Sequence, residues 1–181
     1  MSEISIGNNI AFAIAFLAKS TAYFRFRVAA GKIQEMAEPE LMTEADVHAF
    51  GVEIVYNQLV EAGWTVRSAD VYADRETEPQ IVADRDGEIG FFVVRTAMYP
   101  GRGRIEGEQV FQTQVRYAAA HGASCYFASV GIANSEGKTE EEMTVPVKGV
   151  AFHVAFDGLV RMALPDKDTP LAEKTEHIHH H

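Results

Sequence analysis

Arg95, Tyr99, Arg102 and Arg104 lie close together around a Pro100-Gly101-Arg102-Gly103 turn. Glycines let backbone N–H groups face an anion, and arginines pair with phosphate or carboxylate. These four residues are therefore a candidate ligand-binding set for a small anion, weighed against a plain surface loop before a helix. Arg95 stands apart because its neighbours are apolar. A guanidinium stays protonated, so a buried one must find an acid or reach solvent; Glu53 is the expected partner. A second, acidic group is Asp84, Asp86 and Glu88. Asp84 together with Glu53 would offer two oxygen ligands to a hard cation. The simpler use of Asp86-Gly87 is a hairpin turn. Cys125 lies beside Tyr126 in an apolar stretch and reads as a buried structural thiol. His121 falls at a helix end, and His48 and His153 lack metal-ligand spacing.

Periodicity supplies the elements that would hold these groups. Thr43 and Asp46 form a helix-start pattern, followed by an apolar stripe of Val47, Phe50, Ile54, Leu59 and Val60. Gly63 ends that helix. Residues 64–71 and 80–83 alternate as strands, and residues 89–97 form a near-continuous apolar run typical of a central strand. A helix is expected over 106–121, capped by Gly122, and a buried strand over 124–130. Residues 134–142 form a charged loop, and 144–162 read as two strands broken near Lys148-Gly149 or Asp157-Gly158. Near the N-terminus, Ile10, Phe12, Ile14 and Phe16 alternate with alanines, and Phe24, Phe26 and Val28 share a face. The first stretch is also alanine-rich, which favours a helix; read as strands, the two form a hairpin across 19–21, pairing with residues 144–162 or with a partner chain. The three central strands have short connections and should be antiparallel. The strand–helix–strand crossover requires a parallel pair.

The chain has 181 residues, 47% hydrophobic and 23% charged, with a net charge of −10. This size and balance suit one globular domain, expected over residues 1–170 with a disordered tail over 171–181. The acidic charge repels phosphate and argues against a nucleic-acid partner. One cysteine excludes an internal disulfide and a four-cysteine metal cluster, and suits a reducing, cytoplasmic compartment. The apolar stretch at 10–18 is too short to span a bilayer and lacks the basic flank of a signal peptide.

The order helix, three strands, helix, strand over residues 44–131 resembles the core of the restriction-endonuclease-like (PD-(D/E)XK) superfamily. The fold expected is therefore α/β: an αβββαβ core with a mixed sheet, plus added strands at 8–30 and 144–163. The family carries a proline–aspartate pair on its second core strand, and here the residues are Pro79-Gln80. On the third strand it carries an acid, any residue and a lysine; here they are Val93-Val94-Arg95. Its first-helix glutamate is matched by Glu53, and its second-helix glutamine by Gln109, Gln112 or Gln114. In the family the two strand acids hold a divalent cation and the lysine assists attack on phosphate. Valine cannot ligate a metal, glutamine is a poor substitute for aspartate, and arginine is a poor base. The resemblance thus implies an inactive nuclease homologue with Glu53, Gln80, Val93 and Arg95 at the degenerate motif positions. No catalytic residue, metal or cofactor is expected. The leading functional expectation is a non-catalytic binding or structural protein, with a homo-oligomer as one form of partnership. The alternatives are a nuclease with rearranged carboxylates and a binder of a small anionic ligand.

Overall fold

The structure is a computed structural model that describes residues 38–165. The strands expected over 8–30 and the tail at 171–181 lie outside the described residues.

Helix α1 (Glu44–Glu61) begins at a reciprocal cap. Thr43 Oγ1 accepts from Asp46 N at 3.1 Å, and Asp46 Oδ2 accepts from Thr43 N at 2.8 Å. Two backbone donors that the helix leaves free are thereby satisfied. The helix ends in a Schellman motif: Trp64 N donates to Leu59 O, Gly63 N donates to Val60 O, and Gly63 takes φ 85°. Trp64 and Leu59 both enter the core, which fixes the angle at which the next strand leaves. The buried stripe includes Val47, Phe50 and Leu59 as expected, but also Val52 and Val55. Val60 is exposed, because it lies one turn after the exposed Tyr56 on the side of α1 that faces away from the sheet.

Strands β1 (Thr65–Ala69), β2 (Ile81–Arg85) and β3 (Glu88–Met98) follow as an antiparallel series. The β2–β3 turn is Asp86-Gly87, with φ 53° and 83°. Positive φ at both central residues matches the twist of the flanking strands. Helix α2 (Glu108–Ala120) then crosses to β4 (Ser124–Asn134), which pairs in parallel with β3 from Gly90/Ser124 to Met98/Ile132. A one-turn helix, α3 (Glu140–Met143), leads to β5 (Phe152–Met162), antiparallel to β4. The protein is thus α/β, with one five-stranded mixed sheet in the order β1-β2-β3-β4-β5 and three helices among the described residues.

Two expectations are corrected. Helix α2 starts at Glu108, not 106, because Gly107 at φ 140° occupies the cap position. Residues 144–162 hold one long strand, not two. Gly149 at φ 79° keeps the first part out of the sheet, while Gly158 at φ 97° is absorbed where the β4–β5 register shifts.

The two long helices cover opposite faces of the sheet. Phe92, Val94, Val130 and Ile132 pack with Val52, Val55 and Leu59 of α1. Phe91, Val93 and Cys125 pack with Ala118 of α2. Alternation along β3 therefore sends even-numbered side chains to α1 and odd-numbered ones to α2.

Candidate functional site: a closed polar centre around Arg95

Arg95 follows Phe91 and Val93 on the α2 face and is 3% exposed. Its guanidinium makes five hydrogen bonds. Nε and Nη2 donate to Glu106 Oε1 and Oε2 at 2.6 and 3.0 Å, in the two-pronged geometry that suits arginine and carboxylate. Nη1 donates to Gln80 Oε1 at 3.1 Å and Val94 O at 3.0 Å, and Nη2 also reaches Arg75 O. Gln80 Oε1 accepts in addition from Val94 N at 2.9 Å. From the helix side, Gln114 Nε2 donates to Arg75 O at 3.0 Å and Glu78 O at 3.1 Å. Gln80 and Gln114 are both buried, so these bonds satisfy polar groups that water cannot reach.

The expected Arg95–Glu53 pair is not formed. Glu53 stands exposed on α1, the helix on the other side of the sheet, while Arg95 points toward α2. Partial burial alone raises the Glu53 carboxyl above its ordinary range, and no described side chain is hydrogen-bonded to it. The partner is Glu106, which the late start of α2 leaves in the connecting loop, free to fold back over β3. Partial burial pushes the Glu106 carboxyl up, but the hydrogen bonds from Arg95 and its charge outweigh that and hold it below the usual range. A shallow cleft of about 350 Å³, lined by Glu76, Thr77, Glu106 and Gln109 among others, opens beside the pair.

Of the four degenerate motif positions, Gln80, Val93 and Arg95 therefore come together and Glu53 does not. Their chemistry does not fit a divalent cation: a neutral amide, an isopropyl group and a guanidinium offer no anionic oxygen. Glu106 is already neutralised by Arg95. Asp84 is held by Arg67 at 2.5 Å, Asp86 forms the turn, and Glu88 accepts from Tyr126 Oη at 2.6 Å. Among the described residues no three His, Cys, Asp or Glu side chains converge as a metal site would need.

The candidate anion set is split. Arg95 turns inward. Tyr99 and Arg102 line a cavity of about 610 Å³ with Ile132, Met143, His153 and Ala155. Arg102 lies over Gly131, where a Cβ would press on its Cδ at 2.7 Å, and pairs with Asp157 of β5. Arg104 is exposed and forms no ion pair among the described residues. Cys125 is buried and burial pushes its thiol up to about 11, as a structural cysteine requires.

His48 was not among the candidates, yet it is 4% exposed on α1 and its Nε2 has no hydrogen-bond partner. Burial, then the charges of Arg75 and Arg95, lower its pKa to about 4. Its position on the apolar face of α1, one residue after Val47, was the available signal.

No helix among the described residues is long and apolar enough to cross a membrane. No curated protein matches the chain. A family model described as Domain of unknown function (DUF8840) matches residues 45–162, which is more than half of the chain and runs from the first turn of α1 to the end of β5. The chain belongs to the DUF8840 family.

Proposed function

We propose that this protein is a non-catalytic binding or structural domain built on a restriction-endonuclease-like scaffold. The observation that carries the reading is the engagement of Arg95. Arg95 holds the sequence position at which the resemblance expects the catalytic lysine, and every one of its five donor contacts is internal. A lysine in that role must reach water or phosphate, whereas this arginine ties β3 to Gln80 just before β2 and to the loops that carry Arg75 and Glu106. The αβββαβ element order with a parallel β3–β4 pair supports the scaffold assignment. A small-anion site at Arg102 and Arg104 has weaker support, since Arg102 is already engaged by Asp157.

The test is calorimetric titration of the full chain with Mg²⁺ and Mn²⁺, alongside incubation with plasmid and single-stranded DNA. Neither binding heat nor cleavage is expected. Specific cation binding that is lost in Glu106→Gln or Glu53→Gln would overturn the reading, because it would show that migrated carboxylates rebuild a metal centre.

A further inference from the structure

Helix α2 covers only part of its face of the sheet, where it packs on Phe91, Val93 and Cys125. Farther along β4 the alternation that sends Cys125 to this face continues through Ser129, Gly131 and Ala133. There the cover is the turn that follows β3. Tyr99 N donates to Ile132 O at 2.7 Å, Gly103 N donates to Val130 O at 3.0 Å, and Ser129 Oγ donates to Gly103 O at 2.7 Å. Beside this turn lies the cavity of about 610 Å³, which Met143 of α3 also lines.

The floor of the cavity carries almost no side chain. Gly131 and Ala133 of β4 line it, and Ala155 of β5 is paired with Gly131. A Cβ on Gly131 would press on Arg102 Cδ at 2.7 Å and lie 3.2 Å from Gly101 O. Protein interiors are close-packed, and strand positions with so much room above them normally carry larger side chains. Small-molecule sites are instead concave, mainly apolar and about 300–1,000 Å³ in volume, with a few polar groups. This cavity has that size and that kind of lining.

Charge decides the class of ligand. Arg102 alone among the lining residues carries a permanent charge, and Asp157 of β5 pairs with it. An anion would have to compete with Asp157 for the guanidinium and would meet the chain's net charge of −10. An uncharged ligand meets neither cost. A floor of glycine and alanine leaves room for a flat ring, and the Tyr99 ring and the Met143 thioether both make favourable contacts with aromatic groups.

We propose that this cavity binds an uncharged, planar, ring-containing small molecule laid on the floor of Gly131, Ala133 and Ala155. The proposal adds a ligand class to the binding function proposed above. It needs none of the nuclease-like scaffold, since β4, β5, α3 and the turn from Tyr99 to Arg102 make the cavity.

The test is fluorescence titration of the full chain with N-phenylnaphthylamine, an uncharged ring probe, and with anilinonaphthalene sulfonate, its anionic relative. One saturable site for the uncharged probe is expected. Ala155→Phe fills the floor and should weaken that site by about tenfold or more. Ala155→Val suits a strand better and should weaken it by a smaller factor; it decides the matter if circular dichroism shows that the phenylalanine variant does not fold. Val160 is 62% exposed on β5 and does not line the cavity, so Val160→Ser should leave the affinity unchanged. A site lost in Val160→Ser but kept in the Ala155 variants would put the probe on the outside of the sheet and overturn the proposal. So would the absence of saturable binding, or tighter binding of the sulfonate than of the uncharged probe. Cation binding or DNA cleavage in the earlier titration would overturn the non-catalytic reading and leave this one standing.

Discussion

Arg95 takes its charge balance from a single residue, Glu106, and its remaining acceptors are neutral. Removing one member of a buried pair leaves the other charge without compensation, which generally costs more than the pair contributes. Glu106 is 41% exposed, so water offsets part of that penalty, and Glu106→Gln is expected to destabilise by about 2–3 kcal/mol. Arg95→Met orphans Gln80 Oε1 in part and should cost a similar amount. The double variant should lose clearly less than the two single losses added. Denaturant unfolding of the four proteins gives the coupling, and additive losses would show that the ion pair is energetically idle. The sequence marked Arg95 as needing an acid but not which one. Glu53 and Glu106 are both glutamates near apolar residues, and the choice between them depends on which sheet face each helix covers.

Helix α1 packs tightly on β3 at Gly51. A Cβ there would run into the Thr96 side chain, whose Oγ1 is buried without a hydrogen-bond partner. Glycine inside a helix costs about 1 kcal/mol against alanine, so its presence at a mid-helix position is explained by this contact. Gly51→Ala should recover that propensity yet destabilise overall by about 1–3 kcal/mol, because the helix must lift from the sheet. Thr96→Ala in the same background should restore much of the loss. Thermal unfolding of both variants checks this; a stabilised Gly51→Ala alone would contradict the close packing. The ends of α1 were legible from Thr43, Asp46 and Gly63, since caps are local hydrogen-bond patterns. The true start of α2 was not, because Glu106 is a good residue for a first helical turn, and Gly107 at φ 140° in the cap position leaves it outside the helix, where it pairs with Arg95.

Across the whole molecule, protonation links these sites to stability. His48 has its pKa lowered from 6.5 to about 4 by burial and by Arg75 and Arg95, with Glu106 and Glu44 opposing. The unfolded chain therefore binds more protons than the folded one between those values. Stability is full above pH 6.5 and falls as the pH drops toward 4, by up to about 3 kcal/mol from this residue. Asp46 and Glu106, both lowered, act in the same direction at more acid pH. Cys125, raised to about 11, acts oppositely: its contribution is lost above about pH 9. Urea unfolding at pH 7.5, 6.0 and 4.5 should show the acid decline, and His48→Met should flatten it. Parallel profiles for the two proteins would show that His48 is not buried in its neutral form.

What the sequence by itself determined is the order of the elements from α1 to β4: period-two and helical patterns, Asp86-Gly87, Gly63 and Gly122 each act within a few residues. The short links between β1, β2 and β3 and the helix between β3 and β4 also settled which strands run antiparallel and which parallel. Only the tertiary structure decided where the polar side chains meet. Gln80, Arg95, Glu106 and Gln114 come from a strand, two connecting segments and a helix spread over 35 positions of sequence. Local rules say that each must be satisfied if buried. Which partner satisfies it depends on the side of the sheet each element packs against, and α1 carrying Glu53 to the face opposite Arg95 is a global outcome of burying two apolar surfaces at once. The same holds at Gly158, where an expected strand break becomes a register shift because pairing along β4 continues on both sides of it.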